Sequence, residues 1–135
     1  MVNNTAHPIY SLPAFDGVNR DINCTKPLYD LAVIQSIASK HDQIYLVTQK
    51  CVADVAKLSW DLSDVAQLIA RLTLSDYKKS EWCQTNGNSN RPCDSYVCVV
   101  SEYNEATNKN LLCEYYIKFS TNTGGQLLLI VSCHF

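Results

Sequence analysis

From Leu111 to Phe119 every second residue is apolar: Leu111, Cys113, Tyr115, Ile117 and Phe119, with Glu114, Tyr116 and Lys118 set between the later ones. A period of two is the mark of a strand with one buried and one wet face. Thr121-Asn122-Thr123-Gly124-Gly125 has the composition of a hairpin loop. The run from Gln126 to His134 should therefore return antiparallel, with Ser132 and His134 on one face. Closing the hairpin at Ser120 opposite Gln126 sets Tyr116 opposite Ile130 and Glu114 opposite Ser132. Tyr116 and His134 then share a face as more distant neighbours, since even diagonal positions are about 7–8 Å apart. A core needs no tyrosine, lysine and histidine on one side of a sheet. Chemistry on a phosphate uses all three.

The rest of the chain reads as helices first and strands last. Residues 1–25 show no periodicity and contain Pro8, Pro13 and Gly17, so they read as an irregular arm before a single domain over 26–135. Leu31, Ile34, Ile37 and Ala38 predict an amphipathic helix over 28–39, and Ile44 to Val47 a short strand. Thr48 is placed to cap a second helix to about Leu58, and Asp61 or Ser63 a third along Val65, Leu68, Ile69 and Leu72. Ser75 to Ser80 reads as a capped turn and Glu81 to Pro92, rich in Asn, Gly and Ser, as a surface loop. Strands follow at 95–103, 111–120 and 126–134. The expected class is α+β, N-terminal helices packed on a C-terminal antiparallel sheet.

Composition narrows the function. With 47% hydrophobic and 18% charged residues over 135 positions, the chain is a folded domain and not a disordered one. A net charge of −2 gives no global attraction to nucleic acid or membrane, so any polyanion must be met by a local group such as Arg71, Lys78, Lys79 and Arg91. Met1 to Thr5 has neither a basic stretch nor an apolar run, and Leu127 to Val131 is too short to cross a bilayer, so a cytoplasmic location without a membrane partner is expected. Seven cysteines, an odd number, then fit free thiols better than closed disulfides.

Lys26-Pro27-Leu28-Tyr29-Asp30-Leu31, Leu74-Ser75-Asp76-Tyr77-Lys78-Lys79-Ser80, Asp94-Ser95-Tyr96, Tyr116-Ile117-Lys118-Phe119 and Leu128-Leu129-Ile130-Val131-Ser132 occur in an order that resembles the MqsR-type toxins. Those are messenger-RNA-cleaving toxins of type II toxin–antitoxin systems with a RelE-like ribonuclease fold. The resemblance implies a metal-independent endoribonuclease without cofactor, with RNA and a cognate antitoxin as partners. It places the functional lysine on Lys79, beside Lys78, and the strand tyrosine on Tyr116. Where the family has a functional glutamine this chain has Cys93, ahead of Asp94 and Tyr96. Where the family has a basic tail this chain ends Cys133-His134-Phe135. A catalytically eroded binding module of the same fold, acting through a protein partner, is the competing expectation.

The residues also speak without the resemblance. A metal-free ribonuclease must deprotonate a 2′-hydroxyl, offset charge on the phosphate and protonate the departing 5′-oxygen. His134 is suited to proton transfer near neutral pH. Lys79, Lys118 and Arg91 are suited to the phosphate, and Tyr116 to hydrogen bonding or base stacking. The catalytic candidates are thus Lys79, Tyr116 and His134, with Lys78, Arg91 and Lys118 for RNA binding. Cys93, Asp94, Tyr96 and Glu114 are further candidates. Cys83, Cys93, Cys133 and His134 are zinc-type ligands without a tight pair, so no metal is expected. Cys93 or Cys133 beside His134 is a conceivable thiol nucleophile.

Overall fold

Each helix begins where a side chain can accept from its first free amides. In the computed structural model, which describes residues 5–85 and 89–135, Asp30 accepts from the Ala32 amide at 3.0 Å and opens α1, Leu31–Ala38. The expected start at Leu28 fails for a physical reason: the Leu28 and Tyr29 amides go to the Asp94 carboxylate, 3.0 Å each. Thr48 accepts from the Cys51 amide at 3.0 Å ahead of α2, Gln49–Lys57. Asp61, and not Ser63, caps α3, Leu62–Arg71, in a reciprocal box with Asp64. Such caps are worth about 1 kcal/mol each.

Six strands form one sheet: β1 Asp21–Ile22, β2 Ile44–Leu46, β3 Tyr77–Gln84, β4 Asn90–Asn104, β5 Lys109–Thr121 and β6 Leu128–His134. Their order is β1-β3-β4-β5-β6-β2. The sheet is mixed and not purely antiparallel, because β2 lies parallel to β6 while the other pairs are antiparallel. Past β2, the Val47 amide and the Thr48 hydroxyl donate to the Ile130 and Val131 carbonyls, both at 3.0 Å, which carries the chain from the sheet edge into α2.

Two expectations are corrected on the other side of the sheet. Most of the stretch 81–92 is strand and not loop, and its residues 86–88 lie outside those described. Lys78 and Lys79 accordingly sit in β3; the turn before them is a short 3-10 segment, Leu74–Asp76, boxed by Thr73 and Asp76. The arm is also less irregular than its sequence, residues 1–4 lying outside those described. Asp21 and Ile22 pair with β3, the Trp82 amide donates to the Arg20 carbonyl at 2.7 Å, and Ala6 donates to Gly125 at 2.8 Å.

The register of the last hairpin differs from the expected one by three positions next to the loop and by four beyond a bulge. β5 runs to Thr121 and β6 starts only at Leu128. Asn122 organises the loop between them by accepting from the Gln126 and Leu127 amides at 3.0 and 3.1 Å. A bulge then leaves Val131 unpaired, Phe119 facing Ile130 and Lys118 facing Ser132. Tyr116 therefore lies directly opposite His134.

One buried cluster joins Leu31, Ile34 and Ile37 of α1, Cys51 and Val55 of α2, and Val65, Leu68 and Ile69 of α3 to Tyr96, Tyr115, Ile117, Phe119 and Ile130 of the sheet. Burying each large side chain contributes roughly 1.5–3 kcal/mol. Beyond Tyr96 and before Tyr116, β4 and β5 pair only with each other among the described residues, forming a two-stranded ribbon. No helix among the described residues is long and apolar enough to cross a membrane.

Candidate functional site

The site is built by register. Residues directly opposite in a ladder share a face, as do residues two apart along a strand. Lys79 faces Ser95, Ser95 faces Lys118 and Lys118 faces Ser132, so one row crosses β3, β4, β5 and β6. The next row on that face is Val97, Tyr116 and His134. Lys79, Lys118, Tyr116 and His134, widely spaced in sequence, thus occupy one surface.

The lysines converge through a residue that sequence reasoning missed. Glu81, two positions along β3 from Lys79, takes Lys118 on one carboxylate oxygen at 2.9 Å and Lys79 on the other at 3.3 Å. The Lys118 and Glu81 side chains are only 17% and 16% exposed, against 57% for Lys79, so Lys118 is the sequestered member. Burial opposes the charge on Lys118, but the Glu81 hydrogen bond, with the Cys83 thiol and Tyr116, outweighs it and holds the ammonium above its ordinary pKa. Burial likewise opposes the Glu81 charge, and the two lysines outweigh it, holding the carboxyl below its ordinary value. Two cations and one anion leave the group with a net positive charge.

Tyr116 and His134 touch, where the expected register kept them apart. Their rings stack with centroids 5.0 Å apart and planes 24° from parallel. The Tyr116 phenol donates to the Ser95 hydroxyl at 3.2 Å, which ties the aromatic row to the lysine row. His134 Nδ1 lies 3.4 Å from the Phe135 carbonyl. The tautomer with its proton on Nδ1 leaves Nε2 as the basic nitrogen.

The remaining candidates disperse. Glu114 is exposed opposite Val99, one row beyond Tyr116. Lys78 is exposed at the irregularity between Tyr77 and Lys79. Arg91 pairs with Cys83 toward the other end of β3 and spends its Nε–H on the Thr121 carbonyl at 3.0 Å. Cys93, Asp94 and Tyr96 are fully buried and off the accessible surface. Asp94 accepts from Leu28, Tyr29 and Ser80; burial pushes its carboxyl above the ordinary range against those hydrogen bonds. Tyr96 stacks on Phe119, and its hydroxyl has no partner among the described residues. Ser95 and Ser132, which the sequence did not single out as site residues, complete the lysine row.

The zinc-type ligands are divided: Cys133 belongs to the main core, while Cys83 and Cys93 belong to a separate apolar cluster. Among the described residues no three histidine, cysteine or acidic side chains are grouped to hold a metal ion. A cavity of about 560 Å³, lined by Tyr10, Leu12, Ile22, Cys24 and Trp82 among others, contains none of the expected site residues. Comparison with protein-family models and with curated proteins finds no match to this sequence.

Proposed function

We propose that this chain is a metal-independent endoribonuclease of the toxin class, with a RelE-like fold in which helices cover one face of the sheet and single-stranded RNA lies on the other. In this reading it acts in the cytoplasm and is held inactive by an antitoxin protein. The observation that carries the proposal is the adjacency of the Lys79–Ser95–Lys118–Ser132 row to the Tyr116–His134 stack. His134 takes the proton of the ribose 2′-hydroxyl, whose oxygen attacks the adjacent phosphorus. Lys118 and Lys79 offset the charge that builds on the phosphate oxygens, displacing Glu81 from one ammonium as RNA binds. The bond to the 5′-oxygen breaks, giving a 2′,3′-cyclic phosphate; the Tyr116 phenol supplies the leaving oxygen's proton. Cleavage of a single-stranded RNA in EDTA is the test. His134→Ala and Tyr116→Phe should each lose about 10²–10⁴-fold in rate with the thermal transition kept. Wild-type rates in both variants remove the catalytic assignment.

A second reading has its own support. Glu81 already neutralises part of the lysine charge, and the ribbon exposes apolar Leu112 (77%) and Val99 (55%) beside strand edges that have no partner among the described residues. Those features suit a non-catalytic module that binds a protein through its ribbon. Growth arrest on expression that is relieved by a neighbouring gene, and abolished by His134→Ala, separates the two readings.

A further inference from the structure

The β3–β4 hairpin carries a second group that the RNA site does not use. Glu81 pairs with Cys93 and Cys83 with Arg91. Cys83 and Cys93 therefore stand as a diagonal pair on one face, clustered with Val131 and Val47 apart from the main core. The Cys83 thiol donates toward the Glu81 carbonyl at 3.9 Å and the Cys93 thiol to the Arg91 carbonyl at 3.5 Å, so neither hydrogen is committed to a charged partner. Cys83 is 6% exposed and Cys93 not at all, so Cys83 is the one of the pair nearer to solvent.

We propose that Cys83 and Cys93 are a thiol pair oxidised by peroxides, with Cys83 the attacking sulfur and Cys93 the resolving one. The Cys83 thiolate attacks one peroxide oxygen and the O–O bond breaks. The departing hydroxide takes up the proton that Cys83 gave away, leaving water and a sulfenic acid. The Cys93 sulfur then attacks the Cys83 sulfur, the S–O bond breaks, and hydroxide leaves with the Cys93 proton as a second water. Two thiols have lost two electrons and the peroxide has gained them.

The electrostatics divide the roles the same way. The adjoining Cys93 side chain, opposed by burial and helped by Lys118, holds the Cys83 thiol below its ordinary range, while burial pushes Cys93 well above it. Burial pushes Cys51 to about 11 and Cys133 to about 12, which leaves those sulfurs inert. Lys118 is a positioning residue here: its charge favours the Cys83 thiolate. Diagonal positions are about 7–8 Å apart, wider than the usual disulfide spacing of about 5.5–6 Å, so the hairpin must tighten and the bond should be readily reduced.

The test needs no RNA and stands apart from the proposed function. The full chain is treated with hydrogen peroxide, the remaining thiols are blocked with N-ethylmaleimide, and the digested peptides are mapped by mass. A Cys83–Cys93 cross-link that dithiothreitol reverses is expected, and in Cys93→Ser a dimedone adduct on Cys83. Exposure alone favours Cys24, the one cysteine that is not buried. Oxidation confined to Cys24, with Cys83 untouched, overturns the proposal. Lys118→Gln should slow Cys83 oxidation about tenfold at neutral pH, one unit in the thiol's titration, and Lys118→Arg should restore it. An unshifted pH profile of Cys83 alkylation removes the role given to Lys118.

Discussion

Replacing Asp94 by Asn should cost more than any other single-atom exchange in this chain. One carboxylate oxygen accepts from the Leu28 amide at 3.0 Å and the Ser80 hydroxyl at 2.6 Å; the other accepts from the Tyr29 amide at 3.0 Å. Asparagine keeps the two-donor position with its oxygen and must then turn its NH₂ toward the Tyr29 N–H, donor against donor, in a site without exposed surface. Losing a charged acceptor and orphaning one amide amounts to about 2–3 kcal/mol. Asp94→Ala orphans three donors and should cost about 3–5 kcal/mol, less than their sum because the segment before α1 can detach into water. That is a large part of a typical domain's roughly 5–15 kcal/mol. Urea unfolding followed by far-UV circular dichroism and tryptophan fluorescence measures both. The pH dependence has a definite sign. Burial raises the Asp94 pKa above its ordinary 3.8, so the folded chain binds this proton more tightly than the unfolded one. The stability so gained is full below 3.8 and is lost as pH rises through the folded-state value. The difference between wild type and Asp94→Asn isolates that slope from the opposite contribution of Glu81. An Asn variant within about 0.5 kcal/mol of wild type, the ordinary range for an inconsequential surface change, or a slope of opposite sign, refutes the reasoning.

Glu81→Gln frees two ammonium groups, so single-stranded RNA should bind more tightly and its log Kd against log salt should steepen by about 0.7 for each additional phosphate neutralised. Filter binding across a salt series reads both, and an unchanged slope counts against RNA on this face. Gly125 has φ of +73°, and a Cβ there would stand 2.8 Å from the Ala6 carbonyl oxygen. Gly125→Ala should lower stability by about 2–3 kcal/mol, roughly 1–2 of it from the left-handed backbone, and should speed proteolysis of the arm. An unchanged melting temperature with an intact arm rules that out.

The sequence was most readable where one residue acts on its own neighbours. Thr48 and Asp61 cap as expected because a cap needs only the next turn. That Tyr116 and His134 share a face was legible because parity survives any even slip. Their contact was not, since it depends on a long loop ordered by Asn122 and on one unpaired residue, Val131. β3 was hidden by its own burial. Ser80 is buried beside Asp94 and Cys83 in another cluster, so no clean alternation remains. The one signal was Asn86-Gly87 between two strand-length runs, a hairpin pair by composition. Glu81 could not be recognised as the partner of both lysines until β3 was placed beside β4.

The pairing of β2 with β6, and of Ala6 with Gly125, has a consequence for how the molecule is made. A chain synthesised from its N-terminus presents β2 and α2 long before the strand that receives them exists. The apolar faces of β2 and α2 stay uncovered until Leu128 to His134 has left the ribosome. The β3–β4 and β4–β5 pairs are local and able to form early, whereas the β2–β6 and Ala6–Gly125 closures span most of the chain. Folding therefore waits on the final strand, and a nascent chain arrested before β6 should be held by chaperones or lost to proteolysis.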